Sequence, residues 1–276
     1  MKAFQKSVNY LFLVLIVLVV VLPFLWVLSS SFKSETEIMS GRTYLPRKFT
    51  LENYANLLTE YTSSKHYPRN LFNSLVVGLG SAVCTVVVAI LAAYSLSRYR
   101  NKVSDAIAQT LIFIYVFPTI VVIVPLFKFF SGIGLVDSFM GLIVINTAFF
   151  LPFCIWLLRS FFNSVPISFE EAALLDGATY FQAFFRTTLP LAAPGIATAT
   201  IYTFIMSWGE YLFASIFIIS DHKKTVPLGL ATYMADQYIE WGKLLAGGVI
   251  VIIPVLILFY PLSRYFIRGF ISGIKE

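Results

Sequence analysis

The run Leu11-Phe-Leu-Val-Leu-Ile-Val-Leu-Val-Val-Val-Leu22 contains no polar residue and no alternation of polar with apolar positions. A strand of a membrane barrel turns every second side chain toward a polar lumen, so this unbroken run argues against a barrel. As a helix it closes its backbone hydrogen bonds internally, which hydrocarbon requires. Followed outward the apolar stretch covers Val8–Ser30, and a spanning helix needs ~20 such residues. Lys2 and Lys6 precede it as in a signal peptide, but the stretch is too long for an h-region and reads as a retained span. Five more segments qualify: Leu71–Tyr94, Ile107–Phe129, Phe139–Arg159, Gly195–Ile219 and Leu244–Ile267. Composition agrees, with 58% hydrophobic and 12% charged residues and a mean hydropathy of +0.83. Soluble domains lie near half apolar and a quarter charged. The expected fold class is an all-α integral membrane protein with six transmembrane helices.

The connections divide by character. About 40 mostly polar residues with Pro46 and Pro68 as breakers join the first two segments and predict a cap of short helices outside the membrane. Arg98, Arg100 and Lys102 form a short basic turn, and Gly132–Asp137 links the third and fourth segments. Asp221–Lys243, containing Pro227, links the last two. Outside the long first loop, where Glu35, Glu37, Glu52 and Glu60 dilute the cations, Lys and Arg favour the side holding both termini. The positive-inside rule then puts the N- and C-termini in the cytoplasm of a multi-pass cell-membrane protein. Pro118, Pro125, Pro152 and Pro254 fall inside segments, where a missing N–H bends a helix.

The chemistry excluded is broad. There is no G-x4-GK[ST] phosphate loop, no H-E-x-x-H, no C-x-x-C and no Cys/His cluster with metal spacing, so no cofactor and no metal are expected. The net charge of +6 is scattered and lacks the basic stripe of a nucleic-acid binder. Cys84 and Cys154 sit mid-segment as packing residues. Glu210 is the one acid well inside a segment; intramembrane catalysis needs paired groups, so an enzyme is not expected. An ion-coupled secondary transporter would need more intramembrane charge and commonly an inverted repeat.

The stretch between the fourth and fifth segments (160–194) carries the function. Ser168-Phe-Glu-Glu-Ala-Ala-Leu-Leu-Asp-Gly-Ala-Thr-Tyr-Phe-Gln182 reads as two short helices broken at a glycine. Ser168 with Glu171 forms a capping box for the first, Gly177 supplies the left-handed turn that ends it, and Thr179 with Gln182 forms a second box. Pro190 and Pro194 then close the unit. Ala172 and Ala173, with almost no side chain, lie beside Glu171 and Asp176, an arrangement suited to close docking in another protein's cleft.

Glu171-Ala172-Ala173, then Asp176-Gly177-Ala178, then Leu189-Pro190, resembles the EAA motif of binding-protein-dependent ABC importer permeases. Asn73-Ser74, Ala93-Tyr94 with Arg98, Pro125-Leu126 and the Gly269–Lys275 tail extend the likeness along the chain, nearest to the carbohydrate subfamily of maltose and trehalose type. The resemblance implies a type I importer transmembrane domain over 1–276, with a core at 70–265, forming half of a sugar pathway. The implied partners are a second permease subunit, a dimer of ATP-binding subunits, an extracytoplasmic solute-binding protein, the sugar and the bilayer. It assigns ATPase coupling to Glu171, Ala172, Ala173, Asp176 and Gly177, and tail contacts to Gly273 and Lys275. A permease for a non-sugar solute is the alternative within the class. Many relatives have Trp-Asn before an acid in the fifth span, whereas Gly209 follows Trp208 here. Trp208, Glu210 and Tyr211 are the candidate substrate-path residues, since sugar sites combine aromatic faces with hydrogen-bonding groups.

Overall fold

The computed structural model describes residues 2–62, 65–99, 101–235 and 238–273, and their regular structure is helical throughout. In chain order the helices are α1 (Lys2–Ser31), α2 (Glu35–Ser40), α3 (Glu52–Thr59), α4 (Tyr67–Arg98), α5 (Lys102–Tyr115), α6 (Thr119–Gly132) and α7 (Phe139–Ser164). There follow α8 (Ser168–Leu175), α9 (Tyr180–Ala183), α10 (Leu189–Leu191), α11 (Ala193–Trp208), α12 (Leu212–Phe217), α13 (Val226–Ala235) and α14 (Trp241–Gly273). Among the described residues four helices, α1, α4, α7 and α14, are long and apolar enough to cross a bilayer, and counting each of two bent pairs as one span gives up to six.

The bent pairs correct the sequence reading. The expected third span is α5 and α6, meeting at 95°. Pro118 lacks the N–H that would continue α5, and it takes an extended ψ of 114° at the N-cap of α6. A proline also drives the preceding residue out of the helical region, so Phe117 cannot carry the helix through. The fifth span starts after a 71° bend between Tyr180–Leu191 and Ala193–Trp208. It then breaks again at Gly209–Tyr211 before α12. Pro125, Pro152 and Pro254 lie within helices.

One compact unit comprises Met1–Arg69 with Gly229–Ile253. The polar first connection does fold into short helices, α2 and α3. Asn53 donates to the carbonyls of Ser31 and Lys33, 2.8 Å each, and so stops α1 at a fixed place. Glu35 accepts from the N–H groups of Trp241 and Gly242 at 2.9 and 2.8 Å, satisfying the first turn of α14. Lys243 joins Glu60 and Glu240, at 2.7 and 2.5 Å, and Lys65 also meets Glu240. Along α1 the apolar side chains from Tyr10 to Leu22 point away from this chain, as a lipid-facing or partner-facing helix requires.

The second unit comprises Asn70–Leu228 with Pro254–Glu276. Here α7 is central and packs on α5, α11 and α12. One buried cluster joins Val86, Ala89 and Ala93 of α4 to Cys154, Leu158 and Phe162 of α7 and Ala199 of α11. A second joins Ile123 and Phe130 of α6 to Leu142 and Ile145 of α7 and Phe213 and Phe217 of α12. Cys154 is buried with its thiol 3.2 Å from the Thr203 hydroxyl, but Cys84 is exposed and is no packing residue within this chain. The connection after the fifth span contains a helix the sequence reading missed, α13, with Pro227 at its second position, where a missing N–H removes no helical bond.

Candidate coupling site and membrane path

The Gly177 turn forms as its sequence demands. Gly177 has φ +87°, its N–H donates to Leu174 O, and the Ala178 N–H donates to Ala173 O, both at 3.0 Å. This double bond pattern ends α8 in a Schellman turn. Thr179 and Gln182 form the expected reciprocal box at the start of α9. The other box does not form. Ile167 is the N-cap of α8, with no side-chain capping bond, and Ser168 is already helical. Pro166 and Ile167 initiate the helix one position early through backbone bonds to Phe169, Glu170 and Glu171.

Glu171, Ala172, Asp176 and Gly177 are exposed and Ala173 half-buried. They share their surface with exposed Leu175, Tyr180 and Phe181. Glu170, one residue earlier, faces inward. Arg98 at the end of α4 meets its Oε1 at 2.6 Å through Nη2 and donates to it through Nε at 2.8 Å. The Thr188 hydroxyl donates to the same oxygen at 2.6 Å, and the Tyr94 hydroxyl donates to Oε2 at 2.9 Å. Arg98 also donates to the carbonyls of Phe162 and Val165 at the end of α7. Burial pushes the Glu170 carboxyl up, but the bonds from Arg98, Thr188 and Tyr94 outweigh it and hold the group below its ordinary range. Thr188 closes a π-helical turn, Phe184–Thr188, between α9 and α10. A single carboxylate therefore fastens the α8–α9 pair to α4 and to the entry of the fifth span. Adjacent residues on a helix lie about 100° apart and can both face solvent, so the sequence alone does not tell which of Glu170 and Glu171 turns inward.

The three residues expected on a substrate path are brought together only in sequence. Trp208 is 3% exposed and stacks on Phe204 at 5.5 Å, with both rings over Gly78. Glu210 turns its carboxylate onto α12 and accepts from the N–H groups of Phe213, 2.6 Å, and Ala214, 3.0 Å. Tyr211 is 48% exposed. Gly273 is the last residue of α14, and Lys275 lies outside the described residues.

Helices long and apolar enough to cross a bilayer, with an exposed helix–turn–helix between the fourth and fifth spans, define a multi-pass membrane protein. Residues 85–271 match the family described as binding-protein-dependent transport system inner membrane component, and the chain belongs to that family. Over 270 residues it is 37% identical to the inner membrane ABC transporter permease protein YcjP of Escherichia coli K12, covering 96% of this chain and 95% of that one. Over 261 residues it is 31% identical to the trehalose/maltose transport system permease protein MalG of Thermococcus litoralis, covering 94% and 93%. Among solved structures it matches a bacterial ABC transporter that imports the acidic polysaccharide alginate, with a TM-score of 0.78, 25% identity, and 96% and 97% of the two chains covered. The resemblance to carbohydrate ABC importer permeases and the type I importer fold read from the sequence both agree with these matches.

Proposed function

We propose that this chain is the sugar-importing permease subunit that forms one half of a translocation pathway across the cell membrane, with both termini in the cytoplasm. A second permease subunit supplies the other half, and an extracytoplasmic solute-binding protein delivers a di- or oligosaccharide. A dimer of separate ATP-binding subunits hydrolyses ATP, and this chain is not itself an enzyme. The permease domain covers 1–276, with its core at 70–265. The sugar assignment is supported by the names of the relatives above, among them a trehalose/maltose permease.

The observation that carries the mechanism is the α8–α9 pair. Its exposed face, Glu171, Ala172, Asp176 and Gly177 beside Leu175 and Tyr180, is shaped for close docking into an ATP-binding subunit. Its buried face is tied through Glu170 to Arg98. Movement of the docked pair is thereby delivered to α4 and to the bend that opens the fifth span. Trp208, Glu210 and Tyr211 belong to the pathway in this reading, Glu210 through the break it stabilises. Gly273 and Lys275 add a second contact to the ATPase from the tail.

The test is uptake by proteoliposomes holding the assembled complex. At Gly177 a Cβ meets no atom, but φ +87° strains any β-branched residue, by roughly 1–2 kcal/mol. Gly177→Val, and Glu171→Ala at the docking face, should each insert normally and lose uptake, with ATPase docking weakened or hydrolysis uncoupled. Wild-type uptake by both variants would make the pair a connector.

A further inference from the structure

At the 95° break between α5 and α6, three membrane segments bring aromatic side chains together. The hydroxyl of Tyr115, the last residue of α5, lies 2.7 Å from the hydroxyl of Tyr202 in the middle of α11. The Tyr202 ring packs at 4.3 Å on Phe153 of α7, which also stands 5.5 Å from Tyr115 and 6.1 Å from Trp156. Tyr115 and Trp156 are 41% and 47% exposed. Tyr115 also lines an adjoining cavity of about 330 Å³ with Phe113, Phe117, Leu126, Phe149 and Pro152.

Hydrogen-bond accounting makes this surface unusual for a lipid contact. Two phenols that share one bond use one of their two protons. Among the described residues, the other phenol proton and the Trp156 indole N–H have no acceptor. Hydrocarbon offers none, and an irregular backbone such as Val116–Pro118 is tolerated at membrane depth only inside protein or beside a water-filled path. Neighbouring aromatic faces with unspent donors, beside a cavity in the volume range of small-ligand sites, fit a polyhydroxylated ring: C–H groups against the rings, hydroxyl oxygens on the donors.

We propose that Tyr115, Tyr202, Phe153 and Trp156 form a pyranose-binding subsite on the translocation path within this chain, an assignment that rests on the reading of the chain as a sugar permease. Phe153 and Trp156 present ring faces, and the phenol pair trades its mutual bond for bonds to sugar hydroxyls as the ring passes. Trp208, buried against Phe204, is not part of this surface.

The test uses the complete complex in proteoliposomes, with radiolabelled maltose and trehalose as probes and ATP hydrolysis measured in parallel. The double variant Y115F/Y202F removes the hydroxyls and keeps the rings. Expected is a roughly tenfold loss of uptake, with the complex intact and hydrolysis stimulated by the binding protein as in wild type. W156F should lower uptake on its own. Wild-type uptake by the double variant, or loss of complex assembly (the mark of a subunit interface), overturns the subsite while leaving the permease reading in place. A wild-type complex that moves neither sugar but imports a non-sugar solute overturns both.

Discussion

Glu170 and Glu171 are neighbours in sequence with opposite environments. Glu171 is exposed on the face proposed to dock, and Glu170 is enclosed by Arg98, Thr188 and Tyr94. Removing one partner of a buried ion pair costs about 3 kcal/mol, because the other charge is left unmatched. Glu170→Gln should therefore lower the thermal midpoint in detergent and reduce uptake more than binding-protein-stimulated hydrolysis. Glu171→Ala should leave the midpoint within a degree or two of wild type. An unchanged midpoint for Glu170→Gln would show that the buried pair holds nothing. Asp137 makes a different kind of residue-scale claim. It has φ +56°, unusual for a residue with a Cβ, and it accepts from the N–H groups of Ile219 and Ser220, the Ser220 hydroxyl and Lys223. Burial raises its carboxyl, but the Ser220, Lys223 and Ile219 bonds prevail and hold it far below the ordinary range. For a depressed carboxyl the stabilisation is complete above the unfolded value, near 3.9, and is lost as pH falls through the folded one. The stability difference between wild type and Asp137→Asn should stay constant from about pH 8 to pH 5 and shrink only below about pH 4. A difference already shrinking between pH 7 and pH 5 would contradict the assignment.

At the scale of elements, the two broken spans have different causes, and only one was legible. Gly209, which follows Trp208 in the sequence, is a poor helix former, about 1 kcal/mol less favourable than alanine, and α11 does end at Trp208. Glu210 then caps α12, so a residue read as a lone intramembrane acid also has a structural duty. Glu210→Gln retains a carbonyl that can cap, whereas Glu210→Ala leaves both N–H groups bare, at a cost of about 1 kcal/mol. The alanine variant should be the less stable of the two. If Glu210 also acts on the path, the glutamine variant should fold, assemble and hydrolyse ATP while uptake falls; normal uptake would leave it a cap alone. The 95° turn at Pro118 was not legible as a break. Proline in a membrane helix often only bends it, and the apolar run continues through Pro118, so composition does not tell a bend from a break. The Ser168 box failed for a local reason: its residue types are correct, but Ile167 takes the N-cap position, accepting from Glu170 and Glu171, and leaves Ser168 inside the helix.

For the whole molecule, span count and class followed from hydrocarbon-compatible runs and one well-marked loop, because both depend on short-range patterns. What the sequence did not disclose were contacts between distant residues. These include Glu170 with Arg98, Asp137 with Ser220, and Tyr115 with Tyr202, 87 positions apart. The central claim joins the two levels: the exposed face of α8 sits in a groove of an ATP-binding subunit and hands its movement to the bundle. A photo-crosslinking amino acid at Ala172, in the assembled complex within membranes, tests this most directly. Crosslinks to the ATP-binding subunit, with a yield that changes between nucleotide-free and ATP-bound states, are predicted. Crosslinks to lipid or to the second permease alone, with none to the ATP-binding subunit in either state, would contradict it.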